Sequence, residues 1–142
     1  MTSENLPTLL FESFQAHDLD RWYQALSDDF EASYPNARQG LNKEDALAYN
    51  QPFEKAFSDL RFKFSESATS GDITYTRWDA EATHDGPLAL GPEQVVPPTG
   101  NKIFLPGVIM VRVRDDRIIR EETYWNLVEL LNTAGNYALS LI

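Results

Sequence analysis

The chain contains no cysteine. That excludes disulfides, zinc–thiolate centres and thiol nucleophiles. Histidine is nearly as scarce, with two residues, too few for most histidine-rich metal sites. Basic residues are in short supply: 12 Lys and Arg stand against 22 Asp and Glu, a formal net charge of −10. A nucleic-acid reader needs a basic stripe to meet phosphates. The densest one here, Arg112, Arg114, Arg117 and Arg120, is interrupted by acids. No apolar run is long enough to span a membrane, and Met1 to Leu10 lacks the layout of a signal peptide. A soluble cytoplasmic protein is therefore expected. No phosphate-binding glycine loop, HExxH motif or nucleophile elbow is present.

What remains is rich in core-forming residues. Of 142 residues, 42% are hydrophobic, and the aromatics comprise 8 Phe, 6 Tyr and 3 Trp. A chain of this length suits one domain, residues 1–142, with a real core. Asn5 is positioned to cap a first helix running to about His17, with Leu6, Leu10 and Phe14 on one stripe. Asp18 opens a second, where Leu19, Trp22, Tyr23, Leu26 and Phe30 recur with helical spacing. Phe30 to Tyr34 reads as a short strand stopped by Pro35-Asn36. Asn42, with Asp45 three residues on, opens a third helix. Ala46, Tyr49, Phe53, Phe57 and Leu60 form its stripe, and Pro52 predicts a kink or break.

From Arg61 the period becomes two. Ser70-Gly71-Asp72 makes a hairpin turn. Thr74, Thr76, Trp78, Ala80, Ala82 and His84 then share one face. Gly86 to Gly100 holds four of the eight prolines and three of the seven glycines and reads as a long loop, a candidate lid. Lys102 to Arg114 and Arg117 to Trp125 form a second hairpin around Asp115-Asp116. Asn126 starts a last helical segment, Leu127 to Asn132, ended by Gly135. Helices early and strands late predict an α+β domain with helices over one face of a mostly antiparallel sheet.

Two residues stand out chemically. His84 ends a strand, shares a face with Trp78 and opens the proline-rich segment. It is either a proton carrier or a structural histidine. Glu121 alternates with Ile119 and Thr123, opposite Ile109, Val111 and Val113. If that face lines a cavity, desolvation would raise its pKa toward neutrality, which suits an acid/base group. A one-residue register shift or an arginine partner would remove that role. His17, at a helix C-terminus, reads as merely stabilising. The pair Glu121/Glu122 is no dyad, since strand neighbours point to opposite faces. Trp22, Tyr23, Tyr34, Phe53, Phe57 and Trp78 either wall an apolar pocket or fill the core. The other sheet face, with Met110, Arg112, Arg114, Arg120, Glu122 and Tyr124, suits either a homodimer surface or a solvated one.

Thr83-His84-Asp85-Gly86, Pro97-Pro98-Thr99-Gly100, Asp115-Asp116-Arg117-Ile118 and Leu130-Leu131-Asn132-Thr133-Ala134-Gly135 occur in the order seen in SnoaL-like polyketide cyclases, of the nuclear-transport-factor-2-like superfamily. Leu26-Ser27-Asp28-Asp29-Phe30 after the helix pair also resembles the family's opening. The resemblance implies a cone-shaped fold, a curved sheet and N-terminal helices enclosing a hydrophobic pocket. It also implies ring closure by intramolecular aldol condensation without metal or cofactor. In those cyclases an Asp on the last strand and a His on the preceding one move protons. Aligned on the Asp115–Ile118 turn, these positions are Thr123 and Ile109, neither able to carry a proton. His84 matches the histidine of the family's H-x-G motif, and Glu121 becomes the candidate replacement acid/base.

The expectation is thus a cofactor-free isomerase, cyclase or hydrolase acting on a small hydrophobic carbonyl compound. Glu121 and His84 are its catalytic candidates. Trp78, Tyr34, Trp22, Tyr23, Phe53, Phe57, Ile109, Thr123 and Trp125 are its substrate-binding candidates. A non-catalytic binder of an apolar ligand and a dimeric scaffold with a filled pocket are the alternatives. No cofactor, metal, nucleic acid or membrane partner is expected; a homodimer through the outer sheet face is.

Overall fold

The computed structural model describes residues 5–91 and 94–135. The part of the Met1 to Leu10 reading that concerns residues 1–4 lies outside them. A 3-10 turn, Leu6–Thr8, leads into α1 (Leu9–Gln15), and α2 (Leu19–Gln24) follows. Asp18 caps α2 through the Arg21 amide at 3.3 Å, as its position predicts. Asn5, in contrast, makes no side-chain cap. His17 adopts φ +54° in the turn between the helices.

The second helix is shorter than its stripe suggests. It ends at Gln24, and Leu26 and Phe30 belong to strand β1 (Leu26–Ser33). A spacing of four satisfies helical and strand periods alike, so the stripe runs on across the change of structure. Helix α3 (Lys43–Ala56) is capped by Asn42, whose side chain accepts from the Asp45 amide at 2.8 Å. It runs through Pro52 without a break, and Phe57 and Leu60 lie beyond its end.

Strands β2 (Arg61–Ser70) and β3 (Ile73–Thr83) form the first hairpin. Along β3, Thr76, Trp78, Ala80 and Ala82 are buried while Tyr75, Arg77, Asp79 and Glu81 face solvent, the alternation expected. The proline-rich segment is not plain loop. It holds a small separate hairpin, β4 (Leu88–Gly91) and β5 (Gln94–Val96), whose Leu88 and Val96 are buried in the core. Pro92 and Glu93 lie outside the described residues. Strands β6 (Lys102–Arg114) and β7 (Arg117–Tyr124) are joined through Asp115 and Asp116, both at positive φ. Helix α4 (Leu127–Thr133) closes the described chain, capped by Asn126.

The main sheet has the order β1-β7-β6-β3-β2, antiparallel except for the β1–β7 pair. With the helices on its concave face, it forms the curved α+β architecture anticipated. Pairing of β6 with β7 changes register between Arg112 and Val113, where Ile119 is the extra residue. Such a bulge resets the in/out alternation. Consequently Ile118, rather than Ile119, is buried together with Glu121 and Thr123. Among the described residues no helix is long and apolar enough to cross a membrane, and no three His, Asp or Glu gather as a metal would require.

Candidate functional site

Four elements deliver one polar network to the interior. Glu121 on β7 faces inward between Ala32 of β1 and Val111 of β6, with about 1% of its surface exposed. Tyr34, just past β1, donates its hydroxyl to Glu121 Oε1 at 2.6 Å. Trp22 of α2 donates its indole N–H to Oε2 at 3.2 Å. Asn50 of α3 donates from Nδ2 to the Tyr34 hydroxyl at 3.3 Å and to the Ala46 carbonyl at 2.9 Å. Tyr34 stacks on Tyr49 with centroids 4.6 Å apart, and Tyr49 is fixed by donating to the Pro35 carbonyl at 2.6 Å.

Among the described residues no cation pairs with Glu121; both donors are neutral. They favour the carboxylate, but desolvation outweighs them and pushes the carboxyl up to about 7. Burial and the adjoining carboxylate push the Tyr34 hydroxyl well above its ordinary range, so Tyr34 holds its proton. A carboxyl poised near neutrality behind a protonated phenol can exchange one proton with a group bound at that phenol.

An apolar cavity of about 60 Å³ lies beside this network. Six residues anticipated on its wall are there: Tyr34, Phe53, Phe57, Trp78, Thr123 and Trp125. Five others are not. Glu121 stands behind Tyr34, and Trp22 behind Glu121. Ile109 is fully buried in the sheet. Tyr23 sits at the surface, its hydroxyl on Glu44 at 3.3 Å and its ring under the Lys43 ammonium at 5.3 Å. His84 is not on the wall but meets its Phe57 ring to ring at 5.5 Å.

His84 lies in a tightly latched segment, and its Nε2 is buried with no hydrogen-bond partner among the described residues. Its flanking residues are latched to the α3–β2 connection: Thr83 to Asp59 at 2.7 and 2.9 Å, Asp85 to the Ser58 amide at 3.1 Å and also to its hydroxyl. Gly86 packs so closely on α3 that an added Cβ would lie 2.1 Å from the Lys55 carbonyl oxygen. The imidazole is buried, Nδ1 meets the Thr99 hydroxyl at 3.3 Å, and desolvation holds its pKa below the ordinary value.

Asn50 was not singled out by sequence reasoning, and Tyr49 only as part of the apolar stripe of α3. The signal available for Asn50 was an amide four residues after Ala46 on the buried face of α3. A cleft of about 290 Å³, between α3, β4 and the start of α4, shares Tyr49, Phe53 and Trp125 with the cavity. These three aromatics are therefore a wall common to this cleft and the cavity. Phe53 and Trp125 meet edge to face at 5.6 Å.

The family model described as SnoaL-like domain matches residues 8–121. No curated protein matches the chain. Among solved structures, IdmH of Streptomyces antibioticus, assigned as a polyketide cyclase, is 27% identical with a TM-score of 0.72, covering 89% of this chain and 94% of its own. AclR of Streptomyces galilaeus, which carries a hydroxylase assignment, is 21% identical with a TM-score of 0.79, covering 95% and 82%. A SnoaL-like polyketide cyclase assignment from Jannaschia sp. CCS1 is 19% identical with a TM-score of 0.75, covering 96% and 99%. The latter two likenesses concern the fold alone.

Proposed function

The chain belongs to the SnoaL-like domain family, and on that premise we propose that it is a cofactor-free acid/base enzyme acting on a small apolar carbonyl compound, of the cyclase or isomerase type. The observation that carries this reading is the Glu121–Tyr34 pair. A carboxyl pushed up to about 7 is bonded at 2.6 Å to a phenol on the wall of an apolar cavity. In the proposed step, Tyr34 passes its hydroxyl proton to the substrate oxygen and takes the Glu121 proton in its place. Run in the other direction, the pair accepts a proton from the substrate, with Glu121 as the final acceptor. Trp22 and Asn50 hold the two groups in place.

The aldol position of the family's cyclases carries Thr123 and its His position Ile109, so the proton path differs from theirs. As it stands, the cavity has room for only a few water molecules. A substrate therefore enters only if wall side chains move, and the Tyr49, Phe53 and Trp125 wall shared with the cleft is one route. The decisive experiment is a turnover screen of aryl and alicyclic ketones and diketones with wild type and Glu121→Gln. Turnover abolished in the variant supports the reading; turnover unchanged by the substitution overturns it.

A second reading, a non-catalytic binder, is favoured by one observation: both Glu121 oxygens already hold donors. A ligand bound and returned unchanged identifies it. Under either reading we propose a homodimer through the outer sheet face. Tyr75, Phe104, Val108 and Tyr124 are exposed there beside Met110, an apolar group large for an unpartnered sheet. Sedimentation of wild type against Tyr124→Glu tests it; a monomeric wild type overturns it.

A further inference from the structure

A tyrosine can give up an electron reversibly when two things are at hand: a base for its proton and a path for the electron. Tyr34 has both. The base is Glu121, whose Oε1 accepts the Tyr34 hydroxyl at 2.6 Å. The path is a run of aromatic rings. Tyr34 stacks on Tyr49 at 4.6 Å, Tyr49 meets Phe53 at 5.5 Å, and Phe53 meets Trp125 at 5.6 Å. Tyr34 is buried, whereas Tyr49, Phe53 and Trp125 are each partly exposed and line the cleft beside α3. The run therefore joins the buried carboxyl to a place that a soluble oxidant can reach.

The base decides where an electron vacancy rests. A phenol that loses an electron becomes a strong acid, and the vacancy is trapped where the proton can leave. With ionised Glu121 as the acceptor, the step also removes a buried charge, since a carboxylate becomes a neutral acid beside a neutral radical. Burying a charge is costly, so this change favours Tyr34 as the trap. The other described tyrosines lack the combination. Tyr49 donates to the Pro35 carbonyl at 2.6 Å, an oxygen too weakly basic to take a proton. The vacancy can pass through Tyr49 but has no reason to stay. Tyr23 has Glu44 at 3.3 Å, but the Lys43 ammonium lies over its ring and opposes loss of an electron. Tyr124 bonds to Glu122 and Tyr75 is also exposed, so water already screens both. Trp22 shares the base of Tyr34 through Oε2 at 3.2 Å, and Asn50 holds the phenol oxygen at 3.3 Å.

We propose that Tyr34 is a redox-active residue: it delivers one electron by way of Tyr49 and Trp125 to an outer-sphere one-electron oxidant at the cleft, and its hydroxyl proton passes to Glu121. The Tyr34 O–H bond breaks and a Glu121 O–H bond forms. Tyr34 is oxidised to a neutral phenoxyl radical, and the oxidant is reduced by one electron. Return of one electron from a reductant and of the proton from Glu121 restores the pair. An oxidising equivalent that arrives at the surface is thus drawn inward and held away from solvent. The step needs no substrate in the cavity, so it stands apart from the acid/base reading although it uses the same two side chains.

The test uses azide radical, made by pulse radiolysis, as the oxidant. It is run at pH 8.5, where Glu121, pushed up to about 7, is ionised. Trp22 and Trp78 are buried, so Trp125 is the indole within reach of the radical. Absorption follows the decay of the indolyl radical and the rise of the phenoxyl radical, and freeze-quenched samples are read by electron paramagnetic resonance. In wild type the phenoxyl radical should rise as the indolyl radical decays, at a rate independent of protein concentration. Tyr34→Phe should abolish this phase. Glu121→Gln should slow it about tenfold or more, the effect of losing a charge-assisted acceptor. Tyr49→Phe should slow it and leave the final radical the same. A phase that survives Tyr34→Phe, keeps its rate in Glu121→Gln or Tyr49→Phe, or is missing from wild type overturns the proposal. Glu121→Gln and Tyr49→Phe keep the test decisive if Tyr34→Phe fails to fold. Ketone turnover of the same Glu121→Gln protein is a separate readout: turnover untouched by the substitution counts against the acid/base reading alone, and radical transfer untouched by it counts against this one alone.

Discussion

Tyr34 and Glu121, 87 residues apart in the chain, share a 2.6 Å hydrogen bond inside the protein, and neither side chain has appreciable contact with solvent. If they move one proton as a unit, their substitutions will not add. Tyr34→Phe and Glu121→Gln should each lower kcat by a factor on the order of 10² to 10⁴, and the double variant should be no slower than the worse single one. Steady-state kinetics of the three variants checks this; additive losses would mean that the two residues act separately.

The buried carboxyl also makes stability depend on pH. Below about pH 4.5 Glu121 is protonated in folded and unfolded chains alike. Between about 4.5 and 7 the unfolded chain has lost the proton and the folded one keeps it, so its contribution to stability falls as pH rises. The total is roughly 3 kcal/mol, from 1.36 kcal/mol per pKa unit. Glu121→Gln keeps one acceptor oxygen, for either Tyr34 or Trp22, and cannot ionise. Urea midpoints across pH 4 to 8.5 should show the variant gaining on wild type as pH rises, with parity or worse at acid pH.

His84 pulls in the opposite direction. Its pKa is held below the ordinary value near 6.5 by burial, so in acid the unfolded chain takes up a proton before the folded one does. The stability associated with neutral His84 is present above that pH and is lost as pH falls. His84→Gln should remove this acid-side loss, and the comparison belongs in the Glu121→Gln background, where the opposing slope is gone. An unaltered slope would show that His84 binds its proton alike in the folded and unfolded chains.

Gly107 provides a fourth test. Its missing Cβ is the seat of the Trp78 indole, with the nearest ring carbon at 2.2 Å. Gly107→Ala should cost about 1–3 kcal/mol, the usual range for overpacking a filled interior. Thermal unfolding checks it. A variant of wild-type stability would mean that the indole readily swings aside.

How far the sequence carried depended on whether a pattern had one reading. The face Thr76, Trp78, Ala80 and Ala82 was legible because strict alternation over a long strand has no helical counterpart. The Asn42 cap was legible because a short side chain three residues from its target admits one geometry. Leu26 and Phe30 misled because four residues is both one helical turn and two strand pairs. The β4–β5 hairpin hid behind prolines that suit a loop, although Leu88 and Val96 marked its two buried ends. The inward placement of Glu121 was readable from its alternation with Thr123. Its closure by Trp22 and Tyr34 was not, because those partners lie 99 and 87 residues away and only the fold unites them.

The bulge at Ile119 carries a consequence for how such a pocket can change. In an unbroken strand, Ile118 and Glu121 would face opposite sides; one surplus residue lets both face in. Deleting Ile119 would leave Ile118 opposite Val113 and Glu121 opposite Val111, now in plain alternation, so the interior would keep the same occupants. Inserting a residue between Ile119 and Glu121 has no such neutral outcome, because the strand must absorb a second irregularity or turn a carboxylate outward. The length of this strand, as much as its composition, therefore decides which charge the protein keeps away from water.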